Sequence, residues 1–590
     1  MDGKRSIPAA LAMGLLALLA LASATKSAAQ GEQWFVEGNQ NDAHLGQTVA
    51  RAGDVNGDGY DDLLVGGRYD FGDGGTGVAY AYYGSAQGLD TVPDWTAPND
   101  QPNQYAFLAL AGAVDVNGDG YDDVVVGASH YSDDELEEGR AYLFYGSPGG
   151  LSNTPGWLVN GDQHIMYFGT AVAGAGDVNG DGYDDVLVGA PYKRDPASGD
   201  IIGQALLYLG SPGGLGSTPA WSAVGDGGGN YFGGRLNGAG DVNGDGYDDF
   251  MVSDYFATGD QQTEGRVMLY HGSANGPASA PAWTAEGDQA YAYFGSALAP
   301  AGDVNGDGFD DVVIGASSFN NPESDEGQAR LYYGSASGLG PAAGWTAEGD
   351  QYAAHFGNAV SSAGDVNGDG YDDVVIGAYA FSAGELTEGR AFLFLGSAGG
   401  LAAEAAWTAD GDQAQANFGG SVSSAGDVNG DGRDEWAVGA PQYDRGEGNE
   451  GIAVLFDTLA TGPLPTPLPV TPSPTPTPAP AQPVHVSDLD GSANAQGRTW
   501  TALVTVEVAN AGGNTISQAS VSGAWSTGAA GQCTTGVSGR CTVQLGSLPK
   551  KVSSVTFAVN NVQHSQGVYD PAANSDPDGD SNGTQITVSR

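Results

Sequence analysis

The stretch Asp54-Val55-Asn56-Gly57-Asp58-Gly59-Tyr60-Asp61-Asp62 is the first of seven near-copies. The others start at Asp115, Asp177, Asp241, Asp303, Asp365 and Asp427, at successive steps of 61, 62, 64, 62, 62 and 62 residues. A fixed core at a fixed period means one supersecondary unit used repeatedly. Other features keep the phase. Tryptophan recurs at Trp34, Trp95, Trp157, Trp221, Trp283, Trp345 and Trp407. Phe-Gly recurs from Phe168, Phe232, Phe294, Phe356 and Phe418, weakened to Leu45-Gly46 and Phe107-Leu108 in the first two units. Gly-Ala-Pro stands at 189–191 and 439–441, and Gly-Ala at 127, 315 and 377.

Each unit reads as four short strands. In the third, they fall near Phe168–Ala175, Val186–Ala190, Gln204–Leu209 and Trp221–Val224, with the acidic loop between the first two. Apolar and β-branched runs bounded by Gly, Asp and Pro are strand signals. Four-stranded units repeated radially make a β-propeller, and seven lies within the usual blade number. The last unit stops at Phe456-Asp457 without a fourth strand, while Trp34-Phe35-Val36-Glu37 matches one. Residues 33–37 are therefore predicted to complete the seventh blade and close the ring, which removes an open edge. An open solenoid is the rival.

Oxygen-bearing side chains stand at positions 1, 3, 5 and 9 of each acidic loop, position 7 can offer its carbonyl, and Gly at position 6 permits a sharp turn. A short loop wraps a hard cation in this way. The predicted ligands are Asp54, Asn56, Asp58, Tyr60 and Asp62; Asp115, Asn117, Asp119, Tyr121 and Asp123; Asp177, Asn179, Asp181, Tyr183 and Asp185; and Asp241, Asn243, Asp245, Tyr247 and Asp249. They continue with Asp303, Asn305, Asp307, Phe309 and Asp311; Asp365, Asn367, Asp369, Tyr371 and Asp373; and Asp427, Asn429, Asp431, Arg433 and Glu435. An EF-hand would continue to Glu at position 12, but the first loop has Val65 there, inside an apolar strand. Mg2+ suits such a loop less well, because it demands stiff octahedral geometry. The alternative is seven metal-free Asx turns. Four carboxylates in nine residues repel one another unless neutralised, which favours Ca2+, one ion per loop. At roughly ten times Kd, seven such sites would add about 10 kcal/mol, so the calcium is read as structural. Arg433 and Glu435 make the seventh loop the expected weakest.

Phe-Gly, then D-x-N-x-D-G-x-x-D, then Gly-Ala-Pro resembles the FG-GAP repeat of the integrin α-subunit propeller, also met in bacterial secreted proteins. The resemblance covers roughly residues 33–458. It implies a seven-bladed propeller, calcium in hairpin loops, and adhesion or ligand recognition. All seven loops look metal-competent, whereas integrin α-subunits use only some. The even spacing leaves no room for an inserted domain between blades.

Composition narrows the rest. With Asp+Glu 72 against Lys+Arg 19 and a net charge of −53, there is no basic face for nucleic acid or anionic membrane. A 40% apolar content with 27 Tyr and 10 Trp excludes wholesale disorder. Gly at 98 of 590 residues argues against long helices. Residues 1–30 read as a secretory signal: Lys4 and Arg5, an Ala/Leu run from Ile7 to Ala24, and small-residue cleavage sites at 22–24 and 27–29. An uncleaved anchor is the alternative. The expectation is a secreted or surface-held monomer with no membrane span in the mature chain.

The expected domains are a signal peptide at 1–30, the propeller at 31–461, a Pro/Thr-rich linker at 462–483 and a β-sandwich at 484–590. The linker should form an extended polyproline spacer. In the last segment Trp500, Ala502, Val504, Val506 and Val508 alternate with Thr501, Leu503, Thr505 and Glu507, the half-buried strand pattern. It resembles an immunoglobulin or fibronectin-III module. Cys533 and Cys541 are expected to form a disulfide in an exported chain. Asp576-Pro577-Asp578-Gly579-Asp580-Ser581-Asn582 reads equally as a calcium loop or a plain turn.

In an up-and-down blade, the loops from strand two to three and from four to one lie opposite the acidic loops. Variable loops on a rigid scaffold carry binding. The ligand-face candidates are Tyr192, Lys193, Arg194, Tyr255, Phe256, Phe319, Asn320, Tyr379, Phe381 and Tyr443. The repeated Trp and Phe read as blade packing. No constellation marks a catalytic site. The seven His share no loop position, and the G-x-S-x-G around Ser581 sits in an acidic tail, not at a strand–helix elbow. The expected function is calcium-stabilised adhesion or recognition of an extracellular protein or glycan, without enzyme activity. The alternatives are a polysaccharide-active enzyme or lectin, and a structural surface module.

Overall fold

The computed structural model describes residues 34–69, 76–98, 109–133, 135–226 and 231–457, and most of 482–590. Residues 1–30, Phe107-Leu108, the linker up to residue 481 and Asp576, Asp578 and Asp580 lie outside the described residues. The described residues are all-β apart from one 3-10 turn, Pro571–Ala573. Two compact units divide the chain, residues 1–467 and 468–590.

The first unit is a β-propeller of seven antiparallel four-stranded sheets. In the third blade, Val172–Gly176, Asp185–Ala190, Gln204–Tyr208 and Trp221–Val224 pair in sequence order. The second strands of most blades are buried along their length, which is why they read as continuous apolar runs. The seventh sheet takes its outer strand from the other end of the chain. Trp34–Glu37 pairs antiparallel with Ile452–Phe456, Trp34 opposite Leu455. The innermost strands neighbour one another all the way round, Ser421–Gly426 against Thr48–Gly53 closing the ring.

The core lies between blades. One apolar cluster joins Val125, Leu143 and Trp157 of blade two to Val186, Val188 and Tyr208 of blade three. Each outer-strand Trp leans edge-on against the third-strand aromatic of the next blade: Trp157 on Tyr208 at 5.0 Å, Trp345 on Phe394 at 4.9 Å, Trp34 on Tyr82 at 5.0 Å. In six of them the indole N–H also donates to a carbonyl of that blade, as Trp345 does to Ala402 at 2.9 Å. Such edge-to-face pairs add about 0.5–1.5 kcal/mol beyond area burial.

The second unit stacks two four-stranded sheets over one apolar core, a β-sandwich. Thr499–Asn510 buries Trp500, Ala502, Val504, Val506 and Val508, the alternation expected of a strand with one covered face. Cys533 and Cys541 are joined, linking Ala530–Thr534 in one sheet to Arg540–Pro549 in the other. The first strand of this unit starts at Gln482, two residues inside the segment assigned to the linker.

Candidate functional site

The seven acidic loops share one frame. Asp54 at position 1 accepts three backbone N–H groups: Oδ1 from Gly57 at 2.7 Å and Asp58 at 3.0 Å, Oδ2 from Gly59 at 2.8 Å. Asp58 at position 5 accepts the N–H of Tyr60 at 3.1 Å. The carboxylate at position 9 is fully buried in every loop: Asp62, Asp123, Asp185, Asp249, Asp311, Asp373 and Glu435. Asp62 accepts from Val55 at 3.0 Å and, across the sheet, from Gly84 at 2.8 Å. Burial pushes its carboxyl up to about 8, with Asp54 and Asp58 pushing the same way. Asp123 rises to about 8, Asp185 to about 7 and Glu435 to about 8 for the same leading reason.

Position 8, absent from the predicted ligands, holds the blades together. Asp248 Oδ2 accepts the N–H of Asp177 in the preceding loop at 2.8 Å, and the Asp248 N–H donates to Asp177 O at 3.2 Å. The two-way clasp recurs around the propeller and closes it, with Asp61 accepting from Asp427 at 3.0 Å. Gly176, at φ +70°, makes room for it: a Cβ there would stand 2.2 Å from Asp248 Oδ2. Arg51 is the cation among these acids, ion-paired with Asp61 at 2.8 Å. It lines an axial channel of about 540 Å³ together with Asp248, Asp310, Asp372 and Asp434. The position-7 ring also reaches backward. Tyr247 lies over Gly180 of the preceding loop, where a Cβ would meet the ring at 2.5 Å.

The donor sets suit a hard cation. Asn117 Oδ1 is buried with no hydrogen-bond partner. In the seventh loop, carboxylate oxygens of Asp427, Asp431 and Glu435 lie within 4.8 Å of one another. Among the described residues the other six loops show no such three-carboxylate group. This gathering falls in the loop expected to be the weakest. The extra methylene of Glu435 carries its carboxylate towards Asp427 and Asp431. Arg433 turns away from its own loop, with Nε 3.5 Å from where a Cβ on Gly368 of the sixth loop would stand.

The opposite end gathers some of the ligand-face candidates and not others. Tyr192, Tyr255 and Phe256 join a chain of rings with Tyr167, Tyr231 and Tyr293. Successive centroids are 4.8 Å (Tyr167–Tyr192), 4.7 Å (Tyr192–Tyr231), 4.9 Å (Tyr231–Phe256) and 5.3 Å (Phe256–Tyr293). Tyr167, Tyr231 and Tyr293 precede the Phe-Gly pairs and have φ of 51°, 64° and 55°. His44, His355 and Asn417 hold the equivalent positions with φ of 45°, 55° and 56°, so the conformation belongs to the repeat. The other candidates are engaged locally. Lys193 pairs with Asp162 at 2.5 Å, and the Arg194 guanidinium donates to Gly199 O at 3.0 Å, so the two do not form a free basic patch. Asn320 is locked to Gln289. Phe319 and Phe381 pack against the cores, Tyr379 stacks on His355 at 5.1 Å, and Tyr443 is buried.

Two further in-phase motifs escaped the sequence reading. The Glu of Glu-Gly, at Glu138, Glu264, Glu326, Glu388 and Glu450, is buried and accepts backbone N–H groups of its own two-to-three loop, as Glu264 does from Gly259 and Gln261 at 3.0 Å. Gln163, Gln289, Gln351 and Gln413 each clasp the backbone of the next such loop, as Gln351 does at Ser382. Their recurrence at the repeat period was the available signal.

The FG-GAP repeat family matches residues 107–144, 168–201, 294–332, 356–394 and 418–456. The first unit lacks Phe-Gly and has Gly66-Gly67, and the fourth has Ser253-Asp254, where the other five units have Gly-Ala. The chain is similar to integrin alpha-IIb of Mus musculus, 40% identical over 161 residues, covering 26% of this chain and 15% of that protein. It is also similar to integrin alpha-5 of Xenopus laevis, 28% over 244 residues, covering 40% and 22%. With integrin alpha-8 of Mus musculus it shares 29% over 257 residues, covering 42% and 22%. The chain spans less than a quarter of the length of these relatives.

Proposed function

We propose that the chain is an exported, calcium-binding adhesion or recognition protein whose propeller engages an extracellular ligand through the end opposite the acidic loops. The chain of rings from Tyr167 to Tyr293 carries this reading. It presents partly buried aromatic faces drawn from three successive blades. Calcium in the acidic loops would be structural. There it would neutralise the crowded carboxylates at positions 1, 5 and 9, with the Asn at position 3 and the position-7 carbonyl completing the oxygen set. The similarity to integrin α-subunits supports adhesion, and the signal-like residues 1–30 support export. No helix among the described residues is long and apolar enough to cross a membrane. We further read the C-terminal sandwich as an immunoglobulin-like module on a proline-rich spacer, as in bacterial secreted forms. The reading assigns no catalytic residue.

A second reading, a lectin, is favoured by the same rings, because aromatic faces also stack on sugars. One screen separates the two. The full chain is offered matrix and cell-surface proteins and a glycan array, in calcium and in chelator. Tyr192→Ala, Tyr231→Ala and Phe256→Ala are compared with the parent, after circular dichroism shows each folded. Binding lost in these variants supports the aromatic end, and the class of ligand retained chooses between adhesion and lectin. Binding that the three variants leave untouched refutes this placement, and no binding at all by the folded chain refutes the function.

A further inference from the structure

Blade five departs from its neighbours at one point of its rim. In blades two, four and six the third strand opens with arginine. Arg266 meets Glu286 of the outer strand at 3.0 Å, Arg390 meets Asp410 at 2.5 Å, and Arg140 donates to Asn160. In blade seven Arg445 comes within 3.5 Å of Glu37. Blade five has Gln328 in that place. The Gln328 amide donates to Glu348 at 2.8 Å, and Asn321 Nδ2 donates to the same carboxylate at 3.0 Å, but neither brings charge. Carboxylate oxygens of Glu326, Glu348 and Asp350 lie within 4.8 Å of one another. The nearby Arg330 is turned to the neighbouring blade. It donates to Gln328 Oε1 at 2.6 Å, to the carbonyls of Glu286 and Gly287, and to Asp288.

Glu326 adds a second observation, an unpartnered carboxylate oxygen, which Glu138 of blade two shares but without a cluster of acids beside it among the described residues. Glu326 is fully buried. One carboxylate oxygen accepts the Asn321 N–H, and the other, Oε2, is buried without a hydrogen-bond partner. Burial pushes the Glu326 carboxyl up, and Glu348, Asp350 and Glu323 add to the shift against the Asn321 N–H. A buried carboxylate among like charges needs a positive partner. Three carboxylates gathered so closely suit a divalent cation with oxygen ligands.

We infer that Glu326, Glu348 and Asp350 form a further divalent-cation site on the rim of blade five. The strand pairing puts it at the end of the blade away from the acidic loop: Gln328 is opposite both Ala316, at the end of strand two, and Glu348, at the end of strand four. The ion does for blade five what an arginine does for blades two, four and six. The inference does not depend on what the propeller recognises.

Equilibrium dialysis of the full chain against Ca2+, with bound metal counted by elemental analysis, tests it. Glu348→Gln and Gln328→Arg are each expected to bind one ion fewer than the parent, whatever number the acidic loops hold. Gln328→Arg, which installs the sister-blade cation, is also expected to melt above the parent in chelator, with the gap narrowing in excess calcium. Unchanged stoichiometry in Glu348→Gln overturns the site and leaves a proton on Glu326. A Gln328→Arg chain that melts at or below the parent in chelator overturns the missing-cation argument.

Discussion

Replacing Asp248 by alanine should loosen the propeller without touching a predicted calcium ligand. Its Oδ2 is the acceptor for the Asp177 N–H at 2.8 Å, and that donor is half-buried between two blades. Leaving a buried donor unmet costs about 1–3 kcal/mol. Part is offset, because burial and the charges of Asp241 and Asp177 already push the Asp248 carboxyl up, so its charged form is held at some cost. The reciprocal bond from the Asp248 N–H at 3.2 Å survives the change. The net loss expected is about 1–2 kcal/mol. Asp248→Asn keeps an acceptor of the same shape and sheds the charge, so it should stay within about 0.5 kcal/mol of the parent. Urea unfolding of the full chain, followed by tryptophan fluorescence, reads both. At a slope of about 3 kcal/mol per M, the alanine variant should shift the propeller midpoint by about 0.3–0.7 M. The deficit should be the same in calcium and in chelator. If it appears only in calcium, Asp248 is a ligand and not a clasp. If alanine and asparagine behave alike in chelator, the hydrogen bond does no measurable work.

Other substitutions test neighbouring parts of the argument. Gly180→Ala puts a Cβ 2.5 Å from the Tyr247 ring at φ +72° and should cost more than about 2 kcal/mol by thermal melting, whereas Gly182→Ala, at φ +88° with nothing within 4 Å, should cost about 1 kcal/mol. Equal losses would show that the ring contact is irrelevant. Trp345→Phe removes the indole donor to Ala402 O and should lower propeller stability by about 1–2 kcal/mol in chemical denaturation; a neutral result refutes the inter-blade bond. Cys533→Ser with Cys541→Ser should destabilise the C-terminal unit by about 2–3 kcal/mol and leave the propeller transition in place, as two-step calorimetry would show. In the metal-free chain the position-9 aspartates sit above their ordinary 3.8, Asp62 and Asp123 at about 8, so they favour the folded state when protonated. That contribution is full below about 4 and is lost as pH rises through about 8. Calcium needs these groups deprotonated, so its affinity should rise between pH 6 and 8.5, with protons released on binding; calorimetry in two buffers of different ionisation enthalpy counts them.

What the sequence determined by itself is what short-range chemistry encodes. Glycines at fixed offsets, Asx side chains bonding their own loop, and apolar runs of strand length act within ten residues. The blade repeat, the loop frame of Asp54 to Asp62 and the alternation from Trp500 to Val508 were therefore legible. So was the outer strand from Trp34 to Glu37, because its pattern matched six others. Tertiary structure decided whatever joins separate blades. The Asp248–Asp177 clasp spans 71 residues, and its closing copy, Asp61 to Asp427, spans 366. The first acid of each Asp-Asp or Asp-Glu pair reads as a duplicate of the second until the preceding blade stands beside it. The same holds for the rings from Tyr167 to Tyr293. Along the chain each is an aromatic residue before or after a glycine-rich turn; only the radial arrangement sets them edge to face. Gln328 is an unremarked glutamine in the sequence. It acquires meaning when Glu326, Glu348 and Asp350 fold around it, because the cost of an uncompensated charge depends on burial and neighbours, which no local spacing records.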